Sequence, residues 1–187
     1  MRPATFTLVT APAVLGGTYL SYRMGVYGPP GTGFPWQVIL GAFALAFVAA
    51  LGLMAATRRS PPRPLNGAGV ALELAAVAAS LLMPAFLDAF EMPLTFGLFA
   101  LFGLRLLRGT EGDRNAAAVA VAIDFALEAL LVYRGSYAYR YALVAPLPLW
   151  LPAVWANLGV AARRLYPLLP ELWRPRPKDS GSPQLSA

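Results

Sequence analysis

Long runs of apolar residues constrain the fold of this chain more than any other feature of its sequence. The clearest run continues from Trp36 to about Ala56 without a charged residue, directly after Pro35. An α-helix rises about 1.5 Å per residue, so about 20 apolar residues cross a hydrocarbon core that is about 30 Å thick. Runs of this length therefore predict helices that span a lipid bilayer.

Composition indicates the same class of protein. Of the 187 residues, 58% are hydrophobic and 13% are charged, whereas soluble domains average roughly 45–50% and about 25%. A water-soluble domain of this size cannot bury that much apolar surface. The chain is therefore predicted to be an all-α integral membrane protein whose first partner is the lipid bilayer.

The apolar runs divide the chain into six predicted spans, separated by proline, glycine and charged residues. They form a polytopic transmembrane helical bundle over residues 1–164, followed by a basic tail over residues 165–187 that begins at the membrane interface and ends disordered. The predicted spans cover residues 5–22, 35–56, 67–87, 92–107, 115–133 and 146–162.

Local sequence modifies two of these spans. The start of the sixth span is expected to be extended or kinked at Pro146, Pro148 and Pro152, because proline has no backbone N–H to donate to a helical hydrogen bond. The fourth span is short. Arg105 and Arg108 are expected to reach the far interface by extending their charged ends toward water.

Basic residues are distributed unequally between the two sides of this arrangement. Six spans put Arg23, Arg134 and Arg140 on one side and the remainder of the 15 Lys and Arg residues on the other. Cytoplasmic loops carry an excess of Lys and Arg. Both termini are therefore predicted to be cytoplasmic, in a multi-pass protein of a cell inner membrane.

The absent residue types exclude several kinds of chemistry. The chain has no cysteine and no histidine, which rules out disulfides, thiolate catalysis, His-ligated haem or zinc, and a Ser-His-Asp triad within it. No metal and no cofactor are predicted. The net charge of +6 comes from basic residues that flank the apolar runs. We therefore interpret these residues as determinants of membrane topology and predict no nucleic-acid partner.

Two carboxylates in the fifth span are the strongest candidates for catalytic residues. Asp124 lies near mid-depth and Glu128 lies one turn further on, on the same helical face. Acids within a bilayer are costly and usually face a protein interior or a water-filled cavity. One of the pair is expected to stay protonated and to act as a general acid. The alternative is structural hydrogen bonding, with Arg134, Arg23 or a tyrosine hydroxyl.

Further polar and aromatic residues are candidates for substrate binding. Glu73 lies in the third span and Asn157 in the sixth, both within the apolar region. Tyrosines gather on the outer side, where they form either an aromatic belt at the headgroup level or the mouth of a pocket. The remaining candidates for such a pocket are Tyr137, Tyr139, Arg140, Trp150 and Trp155.

Small residues also suggest which helices touch. The third span carries Ala71, Ala75 and Ala79, and the fifth span carries a second alanine series over residues 118–126 at the same four-residue spacing. Such stripes allow two helices to approach closely. They predict contact between the third and fifth spans.

In one stretch of the chain, D-F-A-L-E over residues 124–128 is followed by G-S-Y-A-Y over 135–139 and by P-L-P-L-W-L-P-A-V-W over 146–155. This stretch resembles the carotenoid hydratase family and small bacterial membrane proteins of unknown function. The resemblance covers residues 124–155 only. It implies acid-assisted addition of water to an isoprenoid double bond, with Glu128 and Asp124 as the acid.

Three functions remain open at this level. The first is binding or processing of an apolar lipid or isoprenoid in a bundle cavity lined by intramembrane carboxylates. The second is a non-enzymatic accessory or assembly subunit with a membrane-protein partner. The third is a small proton-coupled transporter, which is disfavoured because no inverted repeat relates the two halves of the sequence.

Overall fold

The computed structural model of the chain describes residues 3–27, 62–142 and 146–168, together with the single helical residues 40, 41, 44, 48 and 52. Apart from those five residues, the second predicted span lies outside the described residues, as does the tail beyond residue 168. The regular structure of the described part is all helical. Its α-helices are α1 (Pro3–Arg23), α2 (Gly67–Leu87), α3 (Glu91–Leu107), α4 (Glu111–Tyr133) and α5 (Leu151–Leu165), with short 3-10 turns at Asp88–Phe90 and Tyr166–Leu168.

Helices α2 and α3 form an antiparallel hairpin around the Asp88–Phe90 turn. Glu73, near the start of α2, forms an ion pair with Arg105, near the end of α3. The two residues would be about 48 Å apart along one continuous helix at 1.5 Å per residue. Met83 and Gly97 also approach each other across the turn. The predicted corner between the third and fourth spans is therefore present.

Helix α5 is the centre of the described bundle, because it contacts α2, α3 and α4. Its closest approach is to α4. A Cβ atom added at Gly159 would lie 2.7 Å from Cβ of Ala120 and 2.8 Å from the backbone oxygen of Ala116. Only glycine permits this separation, so the backbones of α4 and α5 meet at Gly159.

This packing corrects the predicted alanine stripes. Ala71 and Ala75 are exposed, and so are the residues of the α4 series at positions 118, 122 and 126. The buried alanines of α4 lie on the neighbouring face, at Ala116, Ala117 and Ala120. Four-residue spacing holds equally for every face of an alanine-rich helix, so the pattern alone did not identify the face in contact.

The ends of three helices follow from local residue types. Asn66 caps α2 by accepting a hydrogen bond from the Gly69 N–H at 2.8 Å, which satisfies a free donor of the first turn. Helix α4 ends before Gly135, whose φ of +69° is in the left-handed region that favours glycine. Helix α5 begins only at Leu151, after Pro146 and Pro148 and with Pro152 in its first turn, so the first five residues of the predicted sixth span are not helical.

Two stretches of the described chain are long and apolar enough to cross a membrane. They are Gly67–Leu107, which contains the α2–α3 hairpin, and Glu111–Tyr133, which is α4; their mean hydropathies are 2.1 and 2.0. Only 28% and 22% of their most apolar windows are buried within the described structure. A soluble core helix would be mostly buried, so these helices present apolar surface outward.

Candidate functional site

Buried polar side chains gather at the two ends of the bundle. One end contains the starts of α2 and α4 and the ends of α3 and α5. We call its interacting polar residues the ion-pair network: Glu73, Arg105, Asp113, Asn157, Arg163 and Arg164. The opposite end contains the end of α1, the α2–α3 turn and the connection between α4 and α5. Glu128 at this end borders a cavity that we call the carboxylate cavity. The two sites have different chemistry.

Arg105 is the centre of the ion-pair network. Its side chain is 3% exposed and pairs with the Glu73 carboxylate. Its Nη1 donates to the backbone oxygen of Asn157 at 2.9 Å and to Oδ1 of Asn157 at 2.7 Å. Nδ2 of Asn157 in turn donates to the backbone oxygens of Leu98 at 3.0 Å and Ala153 at 2.9 Å. These bonds join α2, α3 and α5.

The last turn of α5 extends the network to α4. Arg164 donates to Glu73 Oε1 at 2.7 Å and to Asp113 Oδ2 at 3.0 Å. Arg163, which is fully buried, pairs with the other oxygen of Asp113 and donates to Thr110 Oγ1 at 3.1 Å. Asp113 also accepts from the backbone N–H of Thr110 at 2.8 Å, so it caps α4 as well.

The prediction that Arg105 extends to the interface is therefore wrong, although Arg108 is exposed. Burial of Arg105 is possible because Asn157 and Glu73 accept hydrogen bonds from the two terminal nitrogens of its guanidinium inside the bundle. Breaking such a buried pair leaves an uncompensated charge, which costs about 3–5 kcal/mol. Glu73 and Asn157, predicted as binding residues, are both engaged in this network.

Glu128 lies at the carboxylate cavity. The hydroxyl of Tyr139 donates to its Oε2 at 3.0 Å, so the predicted tyrosine partner of this acid is present. Asp124, one turn deeper, is 1% exposed, and Trp155 lies within hydrogen-bonding reach of it. Its Oδ1 atom has no hydrogen-bond partner among the described residues. The two acids are thus stacked on one face of α4, as predicted.

The cavity itself is small and partly open. Its volume is about 50 Å³, and residues of α1, α2, α4 and α5 surround it. A buried water needs roughly 10–15 Å³ on this measure, so the cavity admits a few water molecules or the polar end of a lipid rather than a whole isoprenoid. Its polar lining consists of Thr18, Ser21, Tyr27, Ser80 and Glu128.

Aromatic rings close one side of Glu128. The rings of Tyr27, Tyr137 and Tyr139 form mutual contacts with centroids 5.1 to 5.7 Å apart, and Trp150 packs edge-on against Tyr139 at 6.0 Å. Burial, reinforced by the nearby Glu128 carboxyl, raises the pKa of both Tyr139 and Tyr27 well above the ordinary value. The hydroxyl of Tyr139 therefore keeps its proton and serves as a donor.

Backbone contacts hold this aromatic cluster in place. Tyr27 and Tyr139 form an isolated antiparallel bridge, and the N–H of Arg140 donates to the oxygen of Val26 at 3.0 Å. The Arg140 guanidinium lies over the ring of Tyr141, 5.1 Å from its centroid. Glu91 accepts from the Leu149 N–H at 2.6 Å, which ties the α2–α3 turn to the segment before α5.

The predicted site residues therefore divide into two groups. The structure brings together Asp124, Glu128, Tyr137, Tyr139, Trp150 and Trp155 near the carboxylate cavity. Arg140 lies on the loop beside them with its charge over Tyr141. Glu73 and Asn157 belong to the ion-pair network.

Sequence reasoning missed several participants. Arg163 and Arg164 were counted only among the basic residues that set the orientation, and Ser80 and Tyr27 were not among the candidates for a site. One signal was available for the arginines. Glu73 lies near the basic end of its span, and a buried carboxylate needs a cationic partner. No comparable signal identifies Ser80, because serine is ordinary within a membrane helix.

Within the described residues, no group of three Asp or Glu side chains is close enough together to hold a metal ion. The described fold is an all-helical bundle with two candidate membrane-spanning stretches and a buried polar cluster at each end. Comparison with protein-family models, with curated proteins and with solved structures finds no match to this chain. The local resemblance to carotenoid hydratases stays a prediction.

Proposed function

We propose that this chain is a multi-pass protein of a cell inner membrane, with six spans and both termini in the cytoplasm. The directions of the helices support this topology. Helices α2 and α3 are antiparallel, and the start of α4 meets the end of α5 at Asp113 and Arg163. Gly41 lies beside Leu131 and Gly52 beside Val119. The described residues of the second span therefore run antiparallel to α4, as alternating spans require.

The distribution of charge supports the orientation. Arg105, Arg163 and Arg164 converge at one end of the bundle, together with the exposed Arg108 and Arg114. The opposite end carries Arg23, Arg134 and Arg140 in the described chain. The end with the ion-pair network is the more basic one, which corresponds to the cytoplasmic side.

Cysteine labelling tests this topology, because the chain contains no cysteine of its own. We expect Ala138→Cys to react with a membrane-impermeant maleimide in intact cells, because position 138 is exposed at the outer end. Ala68→Cys, equally exposed at the other end, should react only after the membrane is opened. The reverse pattern would overturn the orientation, and labelling of both in intact cells would overturn the span number.

We propose further that the protein binds an apolar membrane lipid or isoprenoid by its polar end, at the carboxylate cavity. The observation that carries this proposal is the lining of that cavity. The Glu128 carboxylate and four hydroxyl side chains border a space that is otherwise formed by apolar residues such as Leu81, Val154 and Leu158. A few polar groups in an apolar recess are typical of a small-molecule site, where they orient the ligand.

Glu128 is the carboxyl that would contact the ligand, because Asp124 does not border this cavity in the described structure. The carotenoid hydratase resemblance would instead need Glu128 in its protonated form, as the acid, with Asp124 behind it. The small volume favours a ligand whose chain remains in the bilayer or in the open side of the cavity. Only its head enters between α1, α2, α4 and α5.

Lipid analysis of the purified chain tests the binding proposal. We expect the wild-type protein to retain one lipid class in near-stoichiometric amount through detergent exchange. Glu128→Gln should lower that retention about 10- to 100-fold, since a hydrogen bond to a charged group contributes about 1.5–3 kcal/mol. Glu111→Gln is the matched control: it makes the same chemical change at an exposed position of the same helix and should retain lipid as wild type does.

Two results would contradict this function. Equal lipid retention by Glu128→Gln and wild type would show that the lipid does not bind at the carboxylate cavity. Recovery of a membrane-protein partner at fixed stoichiometry without lipid would support the accessory-subunit alternative instead.

A further inference from the structure

We infer that the ligand of the carboxylate cavity is a long-chain alcohol, whose hydroxyl group is held between Ser80 of α2 and Glu128 of α4. This inference rests on the proposed lipid binding and names the chemical class of the ligand. Ser80 becomes a determinant of specificity.

The side chain of Ser80 is the first observation. It is 1% exposed, and its Oγ has no hydrogen-bond partner among the described residues. Ser80 also lines the carboxylate cavity. A buried hydroxyl without a partner costs about 1–3 kcal/mol. A ligand that supplies the missing bond recovers this energy on binding.

The bonding capacity of the two residues selects the ligand group. The Glu128 carboxylate accepts, with one oxygen already engaged by Tyr139, and Ser80 can both donate and accept. A hydroxyl satisfies both residues, because it donates to Glu128 while it accepts from Ser80. An ester or ketone oxygen only accepts, so it leaves the second oxygen of the Glu128 carboxylate without a donor.

Charge disfavours the other common lipid head groups. A carboxylate or phosphate would meet the Glu128 carboxylate, and the described lining contains no Lys or Arg. An ammonium group could donate to both residues, but its burial costs several kcal/mol of desolvation, which a neutral hydroxyl avoids. The volume of about 50 Å³ also leaves little enclosed space for a large head group.

Native mass spectrometry of the full chain in detergent, titrated with matched C16 ligands, tests this inference. We expect 1-hexadecanol to bind at least about tenfold more tightly than hexadecane, because two additional hydrogen bonds form. Hexadecylamine and hexadecanoate should bind more weakly than the alcohol. Ser80→Ala should reduce the affinity for hexadecanol about three- to tenfold and leave that for hexadecane unchanged.

Thr95→Val is the matched control for Ser80→Ala. Thr95 likewise has a buried hydroxyl without a partner in the described structure, but it does not border the cavity, so its loss should not change the affinity for hexadecanol. Equal binding of hexadecanol and hexadecane, or tighter binding of hexadecylamine, would contradict the inference that the ligand is an alcohol. The proposal that the cavity binds a lipid would still stand. Equal weakening of both ligands by Ser80→Ala would indicate a structural role only. If none of the four ligands binds, the proposed lipid-binding function itself is contradicted.

Discussion

Arg105→Met is expected to lower the free energy of unfolding by about 3–5 kcal/mol, the cost of removing one partner from a buried ion pair. The substitution leaves the Glu73 carboxylate in the bundle, where Arg164 at 2.7 Å is its remaining cation. It also removes the two hydrogen bonds that Asn157 accepts from Nη1 of Arg105. Methionine fills a comparable volume, so packing changes little and the effect reports on the lost charge.

Reversible unfolding in detergent micelles measures this effect. Two further variants show whether the loss of stability comes from the ion-pair network. Arg108→Met makes the same change three residues later on α3, at an exposed position, and should stay within about 0.5 kcal/mol of wild type. The double variant Glu73→Gln with Arg105→Met should be no more stable than Arg105→Met alone, because Arg164 still pairs with Glu73 in the single variant. If Arg105→Met is as stable as Arg108→Met, the network does not stabilise the bundle.

Gly159→Ala is expected to lower the free energy of unfolding by about 1–3 kcal/mol, the usual cost of overpacking. The added methyl group would meet Cβ of Ala120 at 2.7 Å and the backbone oxygen of Ala116 at 2.8 Å. Neither atom can rotate away, so α4 and α5 must separate along their contact. Separation also strains the Arg163 to Asp113 pair, which lies on the same two helices.

Gly103→Ala is the control for this prediction. It introduces the same methyl group in α3, where nothing lies within 4 Å of the new Cβ among the described residues, and the higher helix propensity of alanine should leave stability unchanged or slightly raised. Adding Ala120→Gly to Gly159→Ala should restore part of the loss. A Gly159→Ala protein that unfolds like Gly103→Ala would show that the two helices are not in tight contact.

The candidate site illustrates how far pattern reasoning reaches. Asp124 and Glu128 were identified because charge within an apolar run is costly, and their four-residue spacing places them on one helical face in any α-helix. The tyrosine partner was predicted only as one of several possibilities. Its identity as Tyr139 depends on the turn at Gly135 and on the bridge to Tyr27, which bring a loop residue back over the end of α4.

The sequence by itself determined the all-helical class and the limits of α2 and α3, because these depend on local properties: apolar length, proline, glycine and capping residues. The predicted span 67–87 coincides with α2, and the fourth span differs from α3 by one residue at its start. Only the tertiary structure decided which polar groups meet. Glu73 pairs with Arg105 and with Arg164, 32 and 91 residues away, because such pairs depend on the rotation of each helix about its own axis. Packing between helices sets the rotation of each helix about its axis, as at Gly159. The periodicity of the sequence within one helix does not determine that rotation.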